Sequence, residues 1–103
     1  MSETAGGVGW IDPVIHVPAR LLIVKQLFVV DAADATFLVN QTGLTWGNLG
    51  SHIGKLEQSG YVEVEKLFRD KKPCTVIRLT ERGRAAFRQY RSRMQETLAD
   101  LPE

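Results

Sequence analysis

The sequence predicts a mainly α fold with one β-hairpin, an α+β chain of a single domain. Three observations lead there. Arg20 to Val30 is apolar around most of a helical circumference. Phe87, Tyr90, Met94, Leu98 and Leu101 recur every three or four residues, as one face of a helix does. Between these segments, Tyr61–Phe68 and Cys74–Leu79 are β-branched and alternating, and a polar stretch, Arg69–Pro73, separates them.

The length of 103 residues fits one domain, and 44% hydrophobic content is enough for a core. Residues 1–9 are Gly-rich and polar and are expected to form a disordered tail ahead of a domain over 10–103. They lack the basic-then-apolar pattern of a signal peptide. The run Leu21–Val30 is interrupted by Lys25 and Gln26 and is too short for a membrane span. The single cysteine, Cys74, forbids an intrachain disulfide and points to a reducing, cytoplasmic compartment.

The elements follow in order. Asp12-Pro13 reads as an N-cap with proline at the first helical position, and Pro18 can open a helical segment in the same way. The helix over Arg20–Val30 needs cover on more than one side, which a second subunit supplies most cheaply. Ala32–Ala35 reads as a connection. Thr36 is the expected cap of a short helix carrying Phe37, Leu38 and Val39, with Gly43 as its left-handed end. Thr45 is the expected N-cap of a third helix reaching about Ser59, and Gly60 stops it. Two short helices joined by a Gly-containing turn make a helix-turn-helix. In the first predicted strand Val62, Val64 and Phe68 share one face, and Tyr61, Glu63, Glu65 and Leu67 the other. Thr80 caps the final helix. A hairpin directly after a helix-turn-helix is the winged layout.

Charge is unevenly distributed. The net charge is only +1, yet Lys66–Arg93 holds ten basic residues against Asp70 and Glu81, so the remainder is acidic. Such a stretch is either a solvated charged face or a field that attracts a polyanion. On the third helix, Leu49, Ile53 and Leu56 share the inward face at 100° per residue. Gly47, Asn48, Ser51, Gly54, Lys55 and Gln58 face outward. Asn48 and Gln58 carry the donor–acceptor pair that reads adenine, and Ser51 and Lys55 can reach base edges or phosphate. The backbone N–H groups after Thr45 can hold a phosphate. Arg69, Lys71 and Lys72 are placed for backbone or minor-groove contact.

Gly43-Leu44-Thr45-Trp46-Gly47-Asn48-Leu49 through Lys55-Leu56-Glu57-Gln58-Ser59-Gly60-Tyr61-Val62 resembles a known family. So do Leu79-Thr80-Glu81-Arg82-Gly83-Arg84-Ala85-Ala86-Phe87 and Asp12-Pro13-Val14-Ile15-His16 with Arg20 and Leu21. Together, over about residues 10 to 98, they resemble small prokaryotic winged helix-turn-helix transcriptional regulators of the MarR and ArsR groups. The resemblance implies a homodimer joined by its N- and C-terminal helices. It also implies a third helix in the major groove of double-stranded DNA and a wing on the flanking backbone. The DNA-contact residues expected are Thr45, Trp46, Asn48, Ser51, His52, Lys55, Arg69, Lys71 and Lys72. The dimer residues expected are Leu21, Val24, Phe28, Phe87, Tyr90, Met94 and Leu98.

Gly50 and Gly54 stand where related proteins often carry larger or basic residues. Either the glycines admit DNA backbone closely, or base readout has been lost and the chain is a protein-interaction module. A small-molecule effector is a third reading without pocket chemistry to support it. Trp46 packs beside the hairpin or lies against the sugar-phosphate backbone. His16 and His52 are too few, and with Cys74 too scattered, for a metal site. Cys74 reads as a small buried strand residue before it reads as a redox sensor. No cofactor site or catalytic constellation is present in the pattern, so an enzyme is not expected.

Overall fold

The computed structural model describes residues 8–99, 101 and 102. The expected tail therefore lies outside the described residues except for Val8 and Gly9, which join Trp10 in a 3-10 turn. The elements are α1 (Pro18–Val30), β1 (Ala32–Asp34), α2 (Ala35–Thr42), α3 (Trp46–Gln58), β2 (Val62–Arg69), β3 (Lys72–Leu79) and α4 (Glu81–Ala99). The three strands form an antiparallel sheet in the order β1-β3-β2. This is the winged helix-turn-helix expected from the sequence, with one more strand than the hairpin alone.

Asp12 does not open a continuous helix. Its Oδ1 accepts from the amides of Val14 and Ile15, at 2.8 and 3.2 Å, closing a single turn. The helix begins at Pro18, whose missing N–H costs nothing at the first position. Ala32–Asp34, expected as a connection, is β1, with Ala32 opposite Arg78 and Asp34 opposite Val76. Ala-Ala-Asp has neither β-branching nor alternation, so only the free edge of β3 reveals it. The cap of α2 is Asp34 rather than Thr36: Asp34 Oδ1 accepts from Phe37 N at 2.8 Å. Gly43 ends α2 at φ 75°, and Thr45 Oγ1 caps α3 by accepting from Asn48 N at 3.1 Å. Thr80 caps α4 by accepting from Gly83 N at 2.9 Å.

The core gathers residues from the turn before α1 and from every element but β1. Ile15, Ile23, Val24, Leu27, Leu38, Leu49, Ile53, Leu56, Val62, Ile77, Leu79, Phe87 and Tyr90 are buried together. Val24, Phe87 and Tyr90 were expected at a subunit interface. They belong instead to the protomer's own core, because α4 packs on α1 and puts Phe87 against Phe28, ring centroids 5.1 Å apart. Leu21, Phe28 and Met94 are half-buried, and Leu98 is exposed. What α1 turns outward is Leu22 and Val29, seven residues apart on one face.

The motif before α1 is a set of ties. Tyr61 Oη donates to Asp12 Oδ2 at 2.5 Å. His16 Nδ1 lies 2.7 Å from Tyr90 Oη. Arg20 Nε donates to Val14 O at 2.6 Å. Burial, then the Asp12 hydrogen bond and charge, pushes the Tyr61 phenol from 10.0 to about 12. The neutral phenol is thus favoured in the folded state. Its stabilisation is complete below the ordinary value and is lost as pH rises through the folded one. Tyr61→Phe should therefore flatten the alkaline limb of stability between pH 10 and about 12, measured by denaturant midpoints. An unchanged limb would contradict this.

Candidate nucleic-acid interface

α3 is held by its apolar stripe and presents the opposite face to solvent. Leu49, Ile53 and Leu56 are buried, while Gly47, Asn48, Ser51, Lys55 and Gln58 are exposed. A Cβ built at Gly47, Gly50 or Gly54 would meet nothing within 4 Å. Packing within the protomer therefore does not require these glycines, although each weakens the helix by about 0.8–1 kcal/mol relative to alanine. Their effect is a low, open strip of helix backbone around Ser51.

Trp46 is 58% exposed at the first turn of α3, beside the N–H groups that Thr45 leaves uncapped. His52 stands back from the outward face: it is half-buried, and the Arg20 guanidinium lies 3.5 Å from its Nδ1. Both histidines thus serve contacts that hold helices together. Among the described residues no three His, Cys, Asp or Glu side chains converge as metal ligands.

The hairpin turn is shorter than the sequence suggested. Arg69 pairs with Lys72, so the loop is Asp70-Lys71, at φ 55° and 66°. Positive φ at both loop residues matches the twist of the flanking strands and makes a tight hairpin. Lys71 and Lys72 are exposed at its tip. Arg69 is partly engaged, its Nη1 3.5 Å from Asp34 Oδ2. Arg84 is also committed: it pairs with Asp31 and lies over the Phe28 ring, 4.8 Å from its centroid. The basic stretch therefore has structural members at its base and exposed ones at the tip.

Two residues escaped the sequence reading. Phe68, assigned to the face of Val62 and Val64, is 76% exposed. Gly83 is buried, and a Cβ there would sit 2.2 Å from Tyr61 O. The half-buried Cys74 stands opposite Leu67.

A helix-turn-helix, an outward α3 and a hairpin with a cationic tip define the class of winged-helix DNA-binding proteins. The family model for the winged helix DNA-binding domain matches residues 19–98. The chain is 35% identical over 71 residues to an uncharacterized protein of Methanocaldococcus jannaschii, covering 69% of this chain and 77% of that one. Its fold is similar to that of a transcriptional regulator homologue from Pyrococcus horikoshii OT3, with TM-score 0.80 and 31% identity. That match covers 85% of this chain and 89% of the other. It is also similar to NadR, solved with 4-hydroxyphenylacetate, with TM-score 0.69 and 20% identity over 84% of this chain and 64% of that one. The chain belongs to the winged helix DNA-binding domain family. It is a DNA-binding transcriptional regulator by family, and the family is not one of enzymes. No described helix is long and apolar enough to cross a membrane.

Proposed function

We propose that the protein acts as a homodimer that lays α3 of each protomer in the major groove and the hairpin tip on the flanking backbone. The observation that carries this reading is the bare outward strip of α3. Three glycines with open space above them surround Ser51 and Lys55, and the helix forgoes stability to keep them. A strip without Cβ atoms lets a phosphate or base edge come close to the backbone. Asn48, Ser51, Lys55 and Gln58 then supply the polar contacts, and Thr45 with the first N–H groups supports a phosphate. Trp46 lies against the sugar-phosphate backbone, and Lys71 and Lys72 neutralise phosphates outside the half-site.

The dimer is built on the apolar surface that the protomer leaves uncovered on α1 and at the end of α4: Leu22 and Val29, with Leu21, Phe28, Met94 and Leu98 at the margins.

The test is binding to selected genomic fragments across a salt series. Ser51→Ala/Lys55→Ala should lower affinity, relax sequence preference and reduce the salt slope by about two, one for each protomer. Full retention of affinity and preference would overturn the assignment of the face. Gly54→Ala separates the two explanations of the glycines. It should stabilise the protein by about 0.8–1 kcal/mol and yet weaken DNA binding. Stabilisation with unchanged binding would show that the bare strip is not where DNA approaches.

A further inference from the structure

Phe68 is the most exposed of the large apolar side chains described, at 76%, and it lies one rung from the tip of a rigid hairpin. Its cross-strand partner is Pro73, which is also exposed. Away from the tip the next rungs are Leu67 with Cys74 and then Lys66 with Thr75, and towards the tip the next rung is Arg69 with Lys72. The apolar pair thus shares its face with Lys66 and lies next to the cationic tip, on a ribbon only two strands wide, since β1 pairs no further along β3 than Val76. We infer that Phe68 is an apolar wedge that enters the DNA minor groove at the edge of each half-site.

The surroundings choose the occupant. A second copy docked on this tip would bring Lys66, Lys71 and Lys72 up against their own counterparts, with like charges opposed. The minor groove offers the complementary arrangement: two rows of phosphates for the lysines, and sugar walls and base steps between them for the ring and Pro73. Apolar side chains inserted there unstack a base step and bend the duplex towards the major groove. The short loop at Asp70-Lys71 holds the ribbon in shape before binding, which limits the ordering cost. A phenyl ring in water at this position has no role in the protomer's core, and in the groove it becomes the apolar part of an otherwise electrostatic contact.

This inference rests on the DNA-binding reading above, and one experiment separates their failures. The probe is a duplex recovered by selecting genomic fragments on the full wild-type chain, with 2-aminopurine placed at base steps in its flanks. Wild-type binding should raise the 2-aminopurine fluorescence at one flanking step on each side. Phe68→Ala should abolish that rise and weaken binding about a hundredfold, about tenfold for each of the dimer's two rings, at the low end of what burial of a phenyl ring gives. Its salt slope should be unchanged, because no cation has been removed. Lys71→Ala/Lys72→Ala should do the reverse: with two lysines lost from each protomer of the dimer the slope falls by about four, and the fluorescence rise survives at saturating protein. If the wild type shows no salt-dependent binding, the underlying reading fails and takes the wedge with it. If the wild type binds and Phe68→Ala matches it in affinity and fluorescence, the wedge alone is overturned. A change of subunit mass in Phe68→Ala by sedimentation would also overturn it, assigning Phe68 to a protein contact.

Discussion

Gly83→Ala should destabilise the protein by about 3 kcal/mol or more, a large effect for adding one methyl group. The third residue of α4 lies where the chain returns from β2. Thr80 N donates to Tyr61 O at 3.0 Å, and Thr80 Oγ1 donates to Gly60 O at 2.7 Å. These bonds draw the start of the helix against the start of the strand. A methyl group at Gly83 would lie 2.2 Å from Tyr61 O, 3.0 Å from its carbonyl carbon and 2.9 Å from Leu79 Cδ1. Two of these atoms are backbone and cannot swing aside. Alanine gains about 1 kcal/mol in helix propensity, which the clash exceeds. The loss should lower Tm by about 12 °C or more, at roughly 4–8 °C per kcal/mol for a chain of this size. Gly54→Ala is the control, since the same chemical change in open space should raise Tm. A Gly83→Ala protein as stable as the wild type would show that the close approach is wrong.

Val29→Lys/Leu98→Lys should convert the proposed dimer to a folded monomer and cost at least about a hundredfold in affinity for a two-half-site duplex. Both side chains are open to solvent in the protomer, 74% and 55% exposed, so lysine there displaces no core atom. Both lie near the C-terminal end of their helices, Val29 in the last turn of α1 and Leu98 in the last turn of α4. A cation is favoured there by the helix dipole. Nothing in the isolated protomer therefore opposes the change. A subunit interface does, because it must bury four unpaired ammonium groups across the two-fold axis. Sedimentation should then report the mass of one chain, 11.5 kDa, with unaltered helical content. A double variant that stays dimeric would place the interface elsewhere.

Most of the fold was legible because its signals are local. Gly43, Thr45, Gly60 and Thr80 mark helix ends by chemistry that needs only a few neighbours, and each acts as its residue type suggests. The stripe Leu49, Ile53 and Leu56 is fixed by helical period and faces the core. The features that escaped depend on distant partners. β1 exists because Ala32–Asp34 passes the free edge of β3, and Asp34 takes the capping role from Thr36 once that strand orients it. Exposure of the hairpin's end was hidden because alternation describes two faces without saying where the supporting core stops, so Phe68 looked like a continuation of Val62 and Val64. The apolar face of α4 was divided in the same way. Phe87 and Tyr90 are spent on α1 and the N-terminal turn, which leaves Met94 half-buried and Leu98 open. The candidate site was legible as a set of outward residues on α3. The sequence did not show that its glycines are free of packing, that His52 is drawn towards Arg20, or that Arg69 shares its charge with Asp34.

The central claim is that two copies of α3 read one duplex together. Hydroxyl-radical footprinting of the wild-type protein on a selected genomic duplex tests it most directly. Two α3 helices on one duplex should give a two-fold symmetric footprint with two centres about one helical turn, roughly 34 Å, apart on one face of the DNA. Weaker protection beyond each centre should mark the hairpin tips. A single asymmetric patch, or no protection at low salt by folded protein, would contradict it.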